Sequence, residues 1–87
     1  MRIDKYLKVA RILKRRTVAK QLADEERLLI NGRKAKAGNE VKVGDEIKII
    51  FGHRTLTVRV LAIQEYAKKE DAILMYEVVD EERLSEL

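Results

Sequence analysis

The sequence predicts an α+β fold in which two N-terminal helices pack on a small, mostly antiparallel sheet that is followed by a short C-terminal helix. Three observations support this prediction. Apolar residues near the N-terminus recur every three or four positions, which is typical of helices. An Asn-Gly pair follows an apolar run, which is typical of a tight hairpin. In residues 55–63, apolar and polar residues alternate as they do in half-buried strands.

The first helix is predicted over residues 3–14. Its apolar residues would lie on one face, and Lys8, Arg11 and Arg15 would lie on the opposite face if the helix ran that far. We therefore expect the apolar face to join the core and the basic face to meet solvent. The predicted core residues of this helix are Ile3, Tyr6, Leu7, Ala10 and Leu13.

A second helix is predicted to begin at Thr17, because threonine is a good N-cap residue. Its apolar stripe is narrow and consists of Val18, Ala19, Leu22 and Ala23. The basic run 14–16 then lies at the joint between the two helices. Its side chains would project from an exposed corner, close to free N–H groups at the start of the second helix, and both features favour an anion such as phosphate.

After residue 26 the pattern changes to that of strands. Residues 28–30 lead into Asn31-Gly32, and residues 33–37 would form the return strand or the arm of a loop. Further turns are predicted at Gly38-Asn39, Gly44-Asp45 and Gly52-His53. The remaining predictions are strands over 46–51 and 55–63, a short helix over 69–75, an edge strand over 76–79, and a frayed or weakly helical tail over 80–87.

Length and composition limit the classes of function. The 87 residues suffice for one domain with a modest core, so we expect a single domain spanning residues 1–87. With 46% hydrophobic and 5% aromatic residues, the chain has little material for an apolar substrate pocket. The only histidine, His53, lies in a turn, and no phosphate loop, metal-ligand spacing or nucleophile elbow is present. We therefore expect no catalytic residues, no metal and no cofactor.

The absence of cysteine is consistent with a reducing compartment. No apolar run approaches the roughly 20 residues that cross a bilayer, and no signal-peptide pattern is present. The apolar stripe of the basic helices is also no larger than a domain core requires, which argues against binding to a membrane surface. The prediction is a soluble, cytoplasmic protein that does not bind membranes.

The charge is distributed unevenly along the chain. Residues 1–42 hold 13 Lys or Arg against 5 Asp or Glu, a net +8, whereas residues 43–87 hold 6 against 10, a net −4. Residues 2–20 alone hold eight basic residues and one acid, Asp4. Like charges placed so closely repel one another, so a polyanionic partner is the natural explanation. The rival interpretation is a protein-interaction adaptor that works through its acidic C-terminal half.

Composition leaves RNA and DNA both open as the polyanion. Few aromatic residues are available for stacking, since Tyr6 lies on the predicted core face. Recognition through phosphates and overall shape is therefore expected, which suits a folded RNA. A third basic group, Arg33, Lys34 and Lys36, follows the predicted hairpin.

Residues 2–49 resemble the RNA-binding domain of the ribosomal protein S-four type, which is also called the alpha-L motif. The outline of that family is R-x-D-x-x-L, then R-x-x-A, then a strand ending in V-N-G, then V-x-x-G-D-x-I. The matching positions here are Arg2, Asp4 and Leu7; Arg16 and Ala19; Ile30, Asn31 and Gly32; and Val41, Gly44, Asp45 and Ile47. On this resemblance the alpha-L core would span about residues 2–63 and a C-terminal extension residues 64–87.

The N-terminal pattern MR-x-DK-x-LK, the segment KRRT-x-AK and the C-terminal segment KKEDAILMYEVVDEERL resemble stand-alone members of the RqcP family of bacterial ribosome quality-control factors. The resemblance implies binding to stalled large ribosomal subunits that carry peptidyl-tRNA. Contacts would be made to large-subunit rRNA and to P-site tRNA, and an RqcH-type factor would add the alanine tail. The protein would act as a ribosome-associated monomer.

The resemblance also implies RNA-binding residues. Arg2 and Arg16 are the foremost candidates, and Asp4 is expected to orient basic neighbours or to cap the first helix. Around them the resemblance implies Lys5, Lys8, Arg11, Arg15 and Lys20. The basic runs of the sequence add Lys14, Arg33 and Lys34 as candidates.

Two residues depart from the family pattern. Glu26 stands where glycine is frequent, at a position suited to the left-handed conformation, and Val43 stands where proline is frequent. A more distant resemblance to the fifteen-kilodalton heat-shock protein family leaves a role in heat-shock recycling or ribosome assembly as an alternative.

Overall fold

The structure, a computed structural model, describes residues 1–83 and confirms the α+β class. Within these residues, three helices accompany a five-stranded antiparallel sheet whose strand order is β2-β1-β3-β4-β5. The elements are α1 (Ile3–Val9), α2 (Arg16–Asp24), β1 (Leu28–Ile30), β2 (Arg33–Lys34), β3 (Glu46–Ile50), β4 (Arg54–Val60), α3 (Lys69–Ala72) and β5 (Tyr76–Arg83).

Helix α1 ends at Val9, five residues earlier than predicted. Arg11 adopts φ of 60°, and its N–H donates to the carbonyl of Lys8 at 3.0 Å. The N–H of Ile12 donates to the carbonyl of Leu7, also at 3.0 Å. These two bonds form a Schellman motif, in which a left-handed residue reverses the chain at a helix C-terminus. The predicted core face is nevertheless correct, because Ala10 and Leu13 are buried beyond the end of the helix.

Helix α2 begins at Arg16 rather than after a Thr17 cap, and it ends in a second Schellman motif. The N–H of Arg27 donates to the carbonyl of Leu22 at 2.8 Å, and Glu26 holds φ of 61°. The left-handed position that the family resemblance implies is therefore present, although a glutamate occupies it. On the apolar stripe, Ala19 and Leu22 are buried while Val18 is exposed.

The hairpin between β1 and β2 is closed by Asn31 and Gly32, which adopt φ of 50° and 82°. Two consecutive positive φ values define the type I′ turn that the Asn-Gly pair predicts. The side-chain oxygen of Asn31 accepts the N–H of Glu46 at 2.9 Å, so the turn is also tied to the start of β3. The return strand is shorter than predicted, because only Arg33–Lys34 pair with β1.

The other half of the sheet is built by β3, β4 and β5. Alternate residues of β4, namely Leu56, Val58 and Val60, are buried as predicted. The prediction of a frayed or helical tail from residue 80 is wrong up to Arg83, because β5 pairs with β4 along its whole length. Residues 84–87 of that prediction lie outside the described residues. The short helix predicted over 69–75 is present as Lys69–Ala72.

Tyr6 joins α1 to the segment that precedes β5. Its ring is fully buried, and its hydroxyl donates to the carbonyl of Met75 at 2.7 Å. Burial raises the pKa of the Tyr6 phenol above its usual range, because the buried site disfavours the charged phenolate. Tyr6 is therefore a core residue, as the sequence predicts, and not a stacking platform.

None of the helices within residues 1–83 combines the length and apolarity that a membrane span requires.

Replacing Glu26 by glycine should stabilise the fold. A non-glycine residue at a left-handed position destabilises the folded state by about 1–2 kcal/mol, and glycine removes this cost. Glycine also raises the conformational entropy of the unfolded chain, which offsets part of the stabilisation. The exposed ion pair between Glu26 and Lys34 contributes little. For Glu26→Gly we expect the free energy of unfolding, measured by urea denaturation, to rise by about 0.5–1 kcal/mol.

Lys20→Gly is the matched control, because Lys20 is exposed inside the same helix. There glycine should lower the free energy of unfolding by about 0.5–1 kcal/mol. If both variants lost stability to the same extent, the left-handed assignment of Glu26 would be wrong.

Candidate nucleic-acid interface

The N-terminal residues are fixed against the segment that leads to Val41. Arg2 forms an isolated antiparallel bridge with Glu40. The N–H of Ile3 donates to the carbonyl of Asn39 at 2.7 Å, and the N–H of Val41 donates to the carbonyl of Met1 at 3.0 Å. Because the chain is held on both sides of Arg2, the start of α1 and the origin of the Arg2 side chain are fixed.

A single carboxylate, that of Asp4, holds the two foremost candidate arginines. Asp4 is 5% exposed. It accepts two hydrogen bonds from Arg2, through Nε and Nη2, each at 3.2 Å. It also accepts Nη2 of Arg16 at 3.2 and 3.3 Å and the backbone N–H of Lys5 at 2.8 Å. The structure thus brings Arg2 and Arg16 together from two helices, and it confirms that Asp4 orients them.

Both arginines remain accessible although they are paired. Their side chains are 54% and 43% exposed, whereas that of Asp4 is 7% exposed. One negative charge faces two positive charges, so the trio keeps a net positive charge. Each guanidinium has five N–H donors, of which Asp4 takes only part. The guanidinium of Arg2 also rests against the turn at Gly38, where a Cβ atom would lie 3.7 Å away.

The connection between the two helices carries the basic run 14–16. All three residues are exposed, and within residues 1–83 no carboxylate lies within 4 Å of Lys14 or Arg15. Arg15 is the N-cap residue of α2, and no side chain caps that turn. The first N–H groups of α2 therefore face the same corner as Arg16, which confirms the predicted exposed basic corner.

Lys8, Arg11 and Lys14 line a groove of about 300 Å³. Tyr66 and Ala67, from the loop between β4 and α3, line the same groove. The sequence expectation that Lys8, Arg11 and Arg15 share a helix face is wrong, because α1 ends before Arg11. Tyr66 is 84% exposed and was missed by sequence reasoning, although its position in the polar stretch QEYAKK could have indicated an unburied aromatic residue.

The remaining candidates lie apart from this corner or are paired. Lys5 forms an ion pair with Glu65, and that hydrogen bond lowers the pKa of the Glu65 carboxyl. Lys34 pairs with Glu26 at 2.9 Å, beyond the C-terminal end of α2. The nine residues of α2, about 13 Å in length, thus separate this site from Arg16. Arg33 is exposed on β2 beside Lys34, and Lys20 is exposed on α2.

On β4, by contrast, positive charges are compensated. Arg54 pairs with Glu81 at 2.8 Å, and Arg59 pairs with Glu46 at 2.9 Å and with Glu77 at 2.5 Å. The hydrogen bonds that Arg59 donates to Glu46 and Glu77 raise the pKa of its guanidinium above the usual value. Within residues 1–83, one group of cations without a carboxylate partner within 4 Å lies on the two helices and the connection between them, and others, such as Arg33 and Lys48, lie on the sheet. Within residues 1–83, no cluster of three or more His, Cys, Asp or Glu residues is arranged to hold a metal ion.

Both the sequence and the fold of this chain are similar to those of known proteins. Residues 1–47 match the S4 domain. Over 99% of its length, the chain is 52% identical to the RQC P-site tRNA stabilizing factor of Streptococcus pneumoniae, of which 98% is covered. It is 50% identical over the same share to the factor of that name from Bacillus subtilis, which is covered completely.

A solved structure with the same architecture is the trimeric structure of Vibrio cholerae Heat Shock Protein 15. Its TM-score to this chain is 0.83 at 28% sequence identity, and the match covers 91% of this chain and 81% of that one. The S4 match spans more than half of the chain, and the relatives match nearly all of it. The chain therefore belongs to the S4 domain family and, within it, to the family of RQC P-site tRNA stabilizing factors.

Proposed function

We propose that this protein binds large ribosomal subunits that still carry peptidyl-tRNA after a stall, and that it holds the P-site tRNA against large-subunit rRNA. By doing so it supports the addition of C-terminal alanine residues by an RqcH-type factor. The names of its relatives support the ribosomal role. The observation that carries the mechanism is the pair of exposed arginines, Arg2 and Arg16, that the buried Asp4 carboxylate orients.

The proposed mechanism is electrostatic bridging by a rigid corner. Arg2 and Arg16 contact phosphates, because a guanidinium offers paired donors that match phosphate oxygens. The positive surface extends over both helices and the connection between them through the neighbouring cations Lys8, Arg11, Lys14, Arg15 and Lys20. In this proposal the positive corner lies between the two RNAs and contacts rRNA on one side and tRNA on the other, which is what stabilising a bound tRNA requires.

The candidates away from the corner have secondary roles in this proposal. Arg33 and Lys34 on β2 and Lys5 at the side of α1 contribute to the general positive field, which accelerates association with RNA. The paired state of Lys5 and Lys34 reduces their contribution. This role needs no chemical step, so we propose a non-enzymatic RNA-binding factor. We propose further that it acts as a monomer, on ribosomes in the cytoplasm.

A second candidate function is recycling after heat shock. The similarity to Heat Shock Protein 15 of Vibrio cholerae, at a TM-score of 0.83, favours it. The higher identity to the tRNA-stabilizing factors, 52% against 28%, favours the first proposal.

Arg16→Ala should weaken association with large subunits by roughly tenfold or more, since hydrogen bonds to charged groups contribute about 1.5–3 kcal/mol each. The side chain is 43% exposed, so the domain should still fold. The control is Arg54→Ala, which removes the same charge from β4 and should leave binding nearly unchanged. Binding is measured by co-sedimentation with large subunits, and folding by thermal denaturation.

The salt dependence provides the electrostatic test. If about six phosphates are neutralised, affinity should fall roughly a thousandfold between 50 and 200 mM salt. Arg16→Ala should reduce the magnitude of the slope of log affinity against log salt concentration by about one. Full retention of Arg16→Ala in the large-subunit fraction, or a flat salt response of the wild type, would contradict the proposal.

Deleting the protein should abolish alanine tails on stalled peptides, because the tailing factor requires a P-site tRNA that stays in place. Tails are detected by mass spectrometry of a stalling reporter. Re-expression of the wild type should restore them and Arg16→Ala should not. Normal tailing in the deletion strain would favour the recycling function instead.

A further inference from the structure

The groove between the end of α1 and the loop before α3 combines features that phosphate contacts alone do not require. Lys8, Arg11 and Lys14 line it, together with the apolar side chains of Val9 and Leu13. The ring of Tyr66 stands beside them and is 84% exposed. An aromatic ring next to three cations and an apolar floor offers both a stacking surface and a phosphate-binding edge.

The Schellman motif of α1 creates this groove. The left-handed conformation of Arg11 turns the chain away from the helix axis, so that Arg11 and Lys14 lie near the loop instead of continuing along α1. The Arg11 guanidinium donates to the carbonyl of Ala67 at 3.5 Å, directly after Tyr66. This hydrogen bond links the loop to the segment that follows α1, next to Tyr66.

The charge of the groove identifies the class of ligand. Its lining contains three positive side chains and no carboxylate. Within residues 1–83, no carboxylate lies within 4 Å of Lys8, Arg11 or Lys14. An anionic ligand with a flat aromatic part satisfies both the cations and the ring. An unpaired nucleotide of RNA has this chemistry, because its base can stack on tyrosine while its phosphates contact Lys or Arg.

We propose that this groove binds one unpaired nucleotide of the RNA partner, with its base stacked on Tyr66 and its phosphates on Lys8, Arg11 and Lys14. The proposal deepens the proposed function and rests on it. It adds recognition of a base outside a helix to the charge-based contacts of Arg2 and Arg16. The part of the binding free energy that comes from stacking should then be independent of salt concentration, since stacking releases no counterions.

Tyr66→Leu should lower affinity for large subunits by about tenfold, the loss expected when one stacked base loses its aromatic partner. Tyr66→Phe should retain affinity, because it keeps the ring. The slope of affinity against salt should be the same for Tyr66→Leu as for the wild type, because no charge is removed. Leu74→Ser is the control for changing an exposed apolar residue elsewhere, and it should bind as the wild type does.

Stacking can be measured directly by the fluorescence of a Tyr66→Trp variant, since the chain itself contains no tryptophan. A short oligoadenylate should quench the fluorescence of this tryptophan, whereas a fully paired RNA duplex should not. Polyglutamate is the third probe, and quenching by it without quenching by oligoadenylate would overturn the proposal in favour of an acidic peptide.

The two proposals fail in different ways. If Tyr66→Leu binds large subunits as the wild type does while Arg16→Ala does not, the nucleotide site is wrong and the proposed function stands. If the wild type itself fails to bind large subunits, the proposed function is wrong.

Discussion

The buried carboxylate of Asp4 is the constraint on which the arrangement of the basic surface depends. It accepts hydrogen bonds from Arg2, at the start of α1, and from Arg16, at the start of α2. Two guanidinium groups brought so close would repel one another without it. Asp4 therefore lowers the total charge by one unit but allows two cations to occupy fixed, neighbouring positions. Preorganised donors lose less entropy when a phosphate arrives than flexible ones do.

The short length of the two helices also helps to fix the positions of the cations. Both α1 and α2 stop at Schellman motifs in which a charged residue, Arg11 or Glu26, adopts the left-handed conformation. These abrupt ends make the corner between the helices compact and turn its lysines and arginines toward solvent. The sheet supports the helices from behind, while ion pairs such as that between Arg54 and Glu81 neutralise the cations of β4. The result is a small scaffold with one strongly positive region.

Much of this fold follows from local sequence patterns. The core face of α1 was predictable from helical spacing, and the type I′ hairpin from the Asn-Gly pair. The end of α1 was not predictable, because arginine at a left-handed position gives no recognisable stop signal. The extent of β5 was also missed, because its acidic residues are typical of a solvated tail. Pairing with β4, through contacts such as that between Arg54 and Glu81, overrides this local preference.

The candidate site was predictable in its charge but not in its geometry. A basic surface on the two helices follows from composition, and the family pattern indicates Arg2 and Arg16. That Asp4 holds both depends on the packing of two helices, which no local pattern reveals. In the same way, Tyr66 joins Lys8 only because a loop more than fifty residues away folds back against α1.

The affinity of Asp4→Asn for large ribosomal subunits is the most direct test of this account. The substitution raises the formal net charge by one unit above +4, so attraction by charge alone would strengthen binding. If fixed arginine geometry is what binds RNA, affinity should fall, and thermal denaturation should show that the domain remains folded. Unchanged or tighter binding by a folded Asp4→Asn protein would contradict the account.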